Sequence, residues 1–122
     1  MGKSVLIIDD SLYMRTLINT ALTEEGYNVV GMAGDGETAI EMALELEPDV
    51  ITLDNVLPDM LGLDILKVLK DEDIKSTIVM ISAVGQQSVV DEGMALGAAA
   101  YIVKPFTPDG LVEEVNKACN NE

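Results

Sequence analysis

The sequence predicts an α/β fold in which a five-stranded parallel sheet is doubly wound with five helices. Three observations carry that expectation. Short aliphatic runs such as Val5-Leu6-Ile7-Ile8 and Val50-Ile51-Thr52-Leu53 lack the alternation of a half-exposed strand, so they read as strands covered on both faces. Stretches with a helical apolar period separate them. The connections are short, as units of strand, helix and parallel strand require.

The elements follow in order. Val5 to Ile8 is the first strand, and Ser11 is a good N-cap for the helix after it. Met14, Leu17, Ile18, Ala21 and Leu22 form that helix's apolar stripe, which stops at Gly26. Asn28 to Met32 reads as the second strand. Asp35 caps a helix with Ala39, Met42, Ala43 and Leu46 on one face, stopped by Pro48. Val50 to Leu53 is the third strand, ending at Asp54. A loop with Pro58 and Gly62 leads into a helix through Ile65, Leu66 and Leu69. Ile78 to Ile81 is the fourth strand, ending at Ser82, and a helix from about Gln86 to Leu96 closes at Gly97. Ala100 to Val103 is the fifth strand, ending at Lys104-Pro105. Thr107 and Pro108 open the last helix, which carries Leu111, Val112, Val115 and Cys119.

At 122 residues the chain is expected to be one domain, residues 1–122, with no output domain. With 48% apolar residues but one Phe and no Trp, its core must be aliphatic. A net charge of −15 argues against nucleic acid or an anionic membrane as the main partner. Much of that charge is what a solvated acidic surface would carry. Cys119 is the only cysteine, which excludes an intrachain disulfide and suggests a reducing, cytoplasmic location. No uncharged run reaches the roughly 18 residues of a membrane span, and no signal peptide precedes the first strand. The absence of His removes His-ligated metals, His general bases and any phosphohistidine formed on this chain.

Sites in open parallel sheets form beyond the carboxyl ends of the strands. Four of the five strands here end in a polar residue with chemical potential: Asp9-Asp10, Asp54, Ser82 and Lys104. Three carboxylates within about 5 Å would repel by roughly 3 kcal/mol per pair at an effective dielectric near 20. A cation must therefore sit among them. Lys104 is one candidate. A hard divalent ion is the other, since Mg²⁺ favours a few carboxylates plus water and phosphate. Taken alone, Asp9 and Asp10 could equally cap the first helix. The later strand ends, each with its own polar residue, weigh towards a shared pocket.

These residues stand in recognisable surroundings. "LIIDDS", "ITLDNVLPDMLGLD", "VMISA" and "AYIVKPF" resemble the signature of response-regulator receiver domains, over the whole chain. "MGKSVLIIDDS", "ISAVGQQSVV" and "IVKPFTP" are most similar to stand-alone chemotaxis regulators of the CheY type. The resemblance implies a flavodoxin-like, CheY-like sheet. It implies that Asp54 is the phosphoacceptor, attacking a phosphohistidine in line and forming an acyl phosphate. Asp10 and Asp54 would ligate Mg²⁺ directly, Asp9 mainly through water, and Val56 through its main-chain oxygen. Lys104 would pair with the phosphoryl oxygens, and Ser82 would hydrogen-bond the phosphoryl group after transfer. Tyr101 would be an aromatic switch that turns inward when Ser82 moves, and Lys104-Pro105 a cis peptide. Such a protein is a switch rather than an enzyme. It would promote only its own phosphorylation and dephosphorylation.

Several residues also have plainer readings. Tyr101 could be ordinary core, and Lys104 or Ser82 alone would mean little. "GDGETA", Gly34 to Ala39, lacks the spacing and Lys of a phosphate-binding loop and reads as a turn and helix cap. Gly93 inside the fourth helix costs about 1 kcal/mol against Ala. It marks either close packing or a soft, switching helix. Leu57 replaces the Met common before Pro58, and Val56 and Val84 are apolar where some family members carry amides or acids.

The resemblance implies a histidine kinase as phosphodonor. It also implies a motility or switch protein docking on the face of the fourth helix, fifth strand and fifth helix. The chain itself is expected to be monomeric, without nucleic-acid or membrane partners. A second reading is a Mg²⁺-dependent phosphatase with an Asp nucleophile. Such enzymes need an acid two residues beyond the nucleophile, and Val56 stands there. A third is an interaction module that has lost phosphorylation, against which the complete residue set argues. A lone receiver in a pathway other than chemotaxis also fits.

Overall fold

The structure, a computed structural model, describes residues 2–120. Strands β1 (Ser4–Ile8), β2 (Asn28–Ala33), β3 (Val50–Leu53), β4 (Thr77–Ser82) and β5 (Ala100–Val103) alternate with five helices. These are α1 (Leu12–Glu24), α2 (Gly36–Leu46), α3 (Gly62–Asp71), α4 (Gln87–Ala95) and α5 (Pro108–Asn120). The strands form one sheet in the order β2-β1-β3-β4-β5, with every pair parallel. The aliphatic strand runs predict this arrangement because a parallel sheet needs helices on both faces.

Alternate residues of β1, β3 and β4 enter opposite cores. Leu6 and Ile8 face a cluster with Ala39, Ala43, Leu63, Leu66 and Leu69, under α2 and α3. Val5 and Ile7 face Ile18, Leu22, Leu111 and Val115, under α1 and α5. The chain therefore winds one way from β1 to β2 and the other way from β3 onward. Between β1 and β3 the winding reverses, and a crevice opens at their carboxyl ends.

The caps are where the residue types put them. Ser11 accepts from the Met14 N–H at 3.2 Å, and Asp35 from the Thr38 N–H at 2.8 Å. Gly26 closes α1 at φ 101° and Gly97 follows α4 at φ 110°. Thr107 accepts from the Gly110 N–H at 3.0 Å, so Pro108 occupies the first helical position, where no N–H is needed. The end of α2 is set as the sequence suggests, just before Pro48. The helix ends at Leu46 because Glu47 turns left-handed, at φ 45°. Leu46 is 40% exposed, and its Cδ1 sits over Gly31 of the edge strand β2, where a Cβ would meet it at 3.2 Å. Among the described residues, no helix is long and apolar enough to cross a membrane.

Candidate functional site

Ile8 and Leu53 are register partners on adjacent strands, so the residues that follow them emerge side by side. The Asp54 N–H donates to the Ile8 carbonyl, and the Asp9 N–H to the Ala33 carbonyl, each at 3.0 Å. The β-ladders thus run right up to the carboxylates and hold their backbone. One oxygen from each of Asp9, Asp10 and Asp54 lies within 4.8 Å of the others. Asp9 and Asp54 are buried and Asp10 is exposed, so the cluster has a floor and an open mouth.

Lys104 supplies the cation. Its Nζ stands 2.8 Å from Asp9 Oδ2 and 3.5 Å from Asp54 Oδ2. Its own backbone is set by a 2.9 Å bond from its N–H to the Ser82 carbonyl. Asp9 also accepts from the Ser11 N–H at 2.9 Å. Its carboxylate is therefore well occupied by protein donors, whereas Asp10 stands free towards solvent at the mouth. Burial pushes the Asp54 carboxyl above its ordinary pKa; Lys104 opposes that shift and the charge of Asp9 adds to it. Three carboxylates and one ammonium leave two formal negative charges, and all the acidic donors are oxygen. That donor set suits a small hard cation with open water positions.

Ser82 is fully buried at the end of β4, and its Oγ accepts from the Val84 N–H at 3.1 Å. Tyr101 donates its hydroxyl to the Val84 carbonyl at 2.6 Å. One residue of the β4–α4 loop therefore joins the two, and the ring sits half-buried against the core. The Lys104-Pro105 peptide is cis. Val56 is half-exposed at the pocket edge, where its N–H lies 3.4 Å from Asp54 Oδ1. Asp9, Asp10, Asp54, Ser82 and Lys104 lie at these strand ends, Val56 in the loop after β3, and Tyr101 within β5.

Three supporting residues carried no signal in the sequence. Buried Asn55 accepts from the Leu63 N–H at 3.1 Å through Oδ1 and from the Gly62 N–H at 2.6 Å through its carbonyl, tying the loop after Asp54 to α3. Gly62 permits this, since a Cβ there would collide with the Asp54 carbonyl and the Asn55 backbone. Arg15 reaches the Asp9 carbonyl, and Asp59 the start of α2. Their partners are backbone groups, which residue types do not reveal. The proline-containing loop hinted only that a turn was there.

Comparison with known proteins agrees with this architecture. The family described as "Response regulator receiver domain" matches residues 5–116. The chain is 44% identical to the chemotaxis protein CheY of Thermotoga maritima, over 96% of this chain and 98% of that one. It is 41% identical to the chemotaxis protein CheY of Bacillus subtilis, over 98% and 100%. Among solved structures, CheY in a CheX-CheY-BeF3-Mg complex from Borrelia burgdorferi superposes with a TM-score of 0.91 at 32% identity, covering 94% of this chain and 87% of that one. The receiver domain of a NarL regulator from Mycobacterium tuberculosis superposes with a TM-score of 0.93 at 29% identity, over 99% and 98%. With this family match, this sheet order and three carboxylates beside one lysine, the chain belongs to the response-regulator receiver domains and is similar to the CheY chemotaxis proteins.

Proposed function

We propose that the chain is a phosphorylatable switch that takes a phosphoryl group from a histidine kinase onto Asp54. The observation that carries this reading is the convergence of Asp9, Asp10 and Asp54 around Lys104, with Ser82 linked to Tyr101 through Val84. An Asp54 carboxylate oxygen attacks the phosphorus of the donor's phosphohistidine. The new P–O bond makes an acyl phosphate as the P–N bond breaks, and the imidazole nitrogen keeps the electron pair and takes a proton from solvent.

Positioning and charge neutralisation are what such a transfer needs most. Asp10 and Asp54, with the Val56 carbonyl, would hold Mg²⁺, and Asp9 would reach it mainly through water. Bound there, the ion supplies positive charge to the transferring oxygens. Lys104 lies close enough to Asp54 to meet the same oxygens from the other side. Ser82 then hydrogen-bonds the new phosphoryl group and releases the Val84 N–H. The loop relaxes, and the Tyr101 hydroxyl changes its partner with it.

The output face would be that of α4, β5 and α5, which carries Tyr101 and where Met94 and Val103 are exposed. Resemblance to CheY favours a motility component as the partner, and a cytoplasmic monomer as the working state. A phosphatase reading is weakened by Val56, which offers no acid–base group two residues beyond Asp54.

Incubation with a small acyl phosphodonor separates these readings. The switch takes up one phosphoryl group per chain, only with Mg²⁺, as a base-labile adduct. Multiple turnover of phosphomonoesters would instead indicate a phosphatase, and no uptake would indicate an inert module.

A further inference from the structure

Between β2 and α2 the chain makes the turn Gly34-Asp35-Gly36, whose sequence suggested no more than a cap. Asp35 is that cap. The two glycines have a different part. Arg15, in α1, extends over Gly34 and donates Nη1–H to the Asp9 carbonyl at 2.6 Å. A Cβ on Gly34 would stand 2.9 Å from that nitrogen. From the other side, Asp59 of the β3–α3 loop accepts from the Gly36 N–H at 2.7 Å and the Glu37 N–H at 3.0 Å. Met60 follows it onto Gly36, where a Cβ would collide with the Met60 Cγ and Sδ. Neither glycine is in the left-handed region, so what they provide is space rather than an unusual backbone conformation.

The two loops that reach this turn are the ones that carry the acidic cluster. Arg15 ties down the Asp9-Asp10 turn. Asp59 ties down the loop that leaves Asp54 and contains Val56. We propose that the Gly34–Gly36 turn is a positioning element for the divalent-cation site, with Arg15 and Asp59 as its positioning residues. The proposal rests on the Mg²⁺ reading of the acidic cluster given above. Its physical basis is that partners beyond the ligands fix their orientation, and a loop held by two charged hydrogen bonds loses less freedom when an ion binds.

Arg15 gives the proposal a test of sign. As a charge, a cation beside three carboxylates opposes Mg²⁺, so removing it should tighten binding. As a positioning residue, removing it should weaken binding. Calorimetric titration of the full chain with MgCl₂ distinguishes the two. Arg15→Gln is expected to bind about tenfold more weakly, the scale of lost outer-shell contacts, and Arg15→Lys to recover part of the loss. Gly36→Ala, which changes no charge, should weaken binding in the same way. If it does not fold, Asp59→Asn serves in its place. Glu41→Gln, an exposed charge change elsewhere on α2, should leave the affinity within about twofold. Binding by Arg15→Gln as tight as wild type, or tighter, would overturn the proposal. So would an unchanged affinity in the folded Gly36→Ala or Asp59→Asn protein. If wild-type protein binds no Mg²⁺, the site reading itself fails, and the proposal with it.

Discussion

As the proposed phosphoacceptor, Asp54 would combine two demands that conflict in the resting protein. It must be ionised to attack phosphorus, yet burial favours its protonated form. A carboxyl whose folded pKa is raised contributes stability that is fully present below its unfolded value. That contribution is lost as pH rises through the folded value. From its ordinary 3.8 upward, therefore, ionised Asp54 is a growing liability to the unphosphorylated fold. Asp54→Asn is nearly isosteric and carries no charge. It should abolish phosphoryl uptake while raising the melting temperature at pH 7, with the gain shrinking as pH is lowered towards 4. Melts across that range would show it, and a gain that grew on acidification would refute the assignment of burial as the cause. Val56 and Val84 set a second residue-scale property. Neither can hydrogen-bond a water through its side chain, so the acyl phosphate should persist. An orienting hydrogen bond is worth about 1 kcal/mol, which corresponds to a several-fold change in rate. Val56→Asn, alone or with Val84→Glu, should speed loss of label after donor removal by that factor, and equal or slower decay would count against the argument.

Helix α4 carries a glycine in its interior, and this residue, Gly93, is buried. The sequence left open whether close packing or softness explains the glycine. A Cβ there would meet the Tyr101 ring at 3.4 Å and Leu63 at 3.6 Å, ordinary contact distances. Packing does not demand glycine, which leaves softness as the better account. Gly93→Ala should then stabilise the protein by up to about 1 kcal/mol and restrain the region that responds to phosphorylation. Denaturant melts would measure the first effect, and a destabilised variant would restore the packing explanation. The strands and helices were legible because each has a local signal: aliphatic runs for strands, apolar stripes for helices, and Ser11, Asp35 or Gly26 at the ends. The acidic cluster, Ser82 and Lys104 were legible because they stand at strand ends. Asn55, Arg15 and Asp59 were not. Each binds the backbone of another element, and an amide or carbonyl looks the same whatever residue bears it.

For the whole molecule, charge is the dominant fact. A chain of net −15 repels itself, and Asp9, Asp10 and Asp54 bring three of its carboxylates within 4.8 Å of one another. Mg²⁺ should therefore stabilise the fold by binding only the native pocket. Millimolar MgCl₂ should raise the melting temperature by several degrees, about 1–2 kcal/mol for a domain of this size. Asp10→Ala should remove most of that shift, because Asp10 offers the open, unpaired ligand. A full shift in the variant would mean that the ion acts by general screening.

Charge placed on Asp54 is expected to reach Tyr101 through Ser82 and Val84. Amide exchange with and without beryllofluoride and Mg²⁺, a stand-in for the acyl phosphate, tests it most directly. Altered protection is expected from Ser82 through Leu96 and at Tyr101. Changes confined to α1 and α2, with that segment and Tyr101 unaltered, would contradict it.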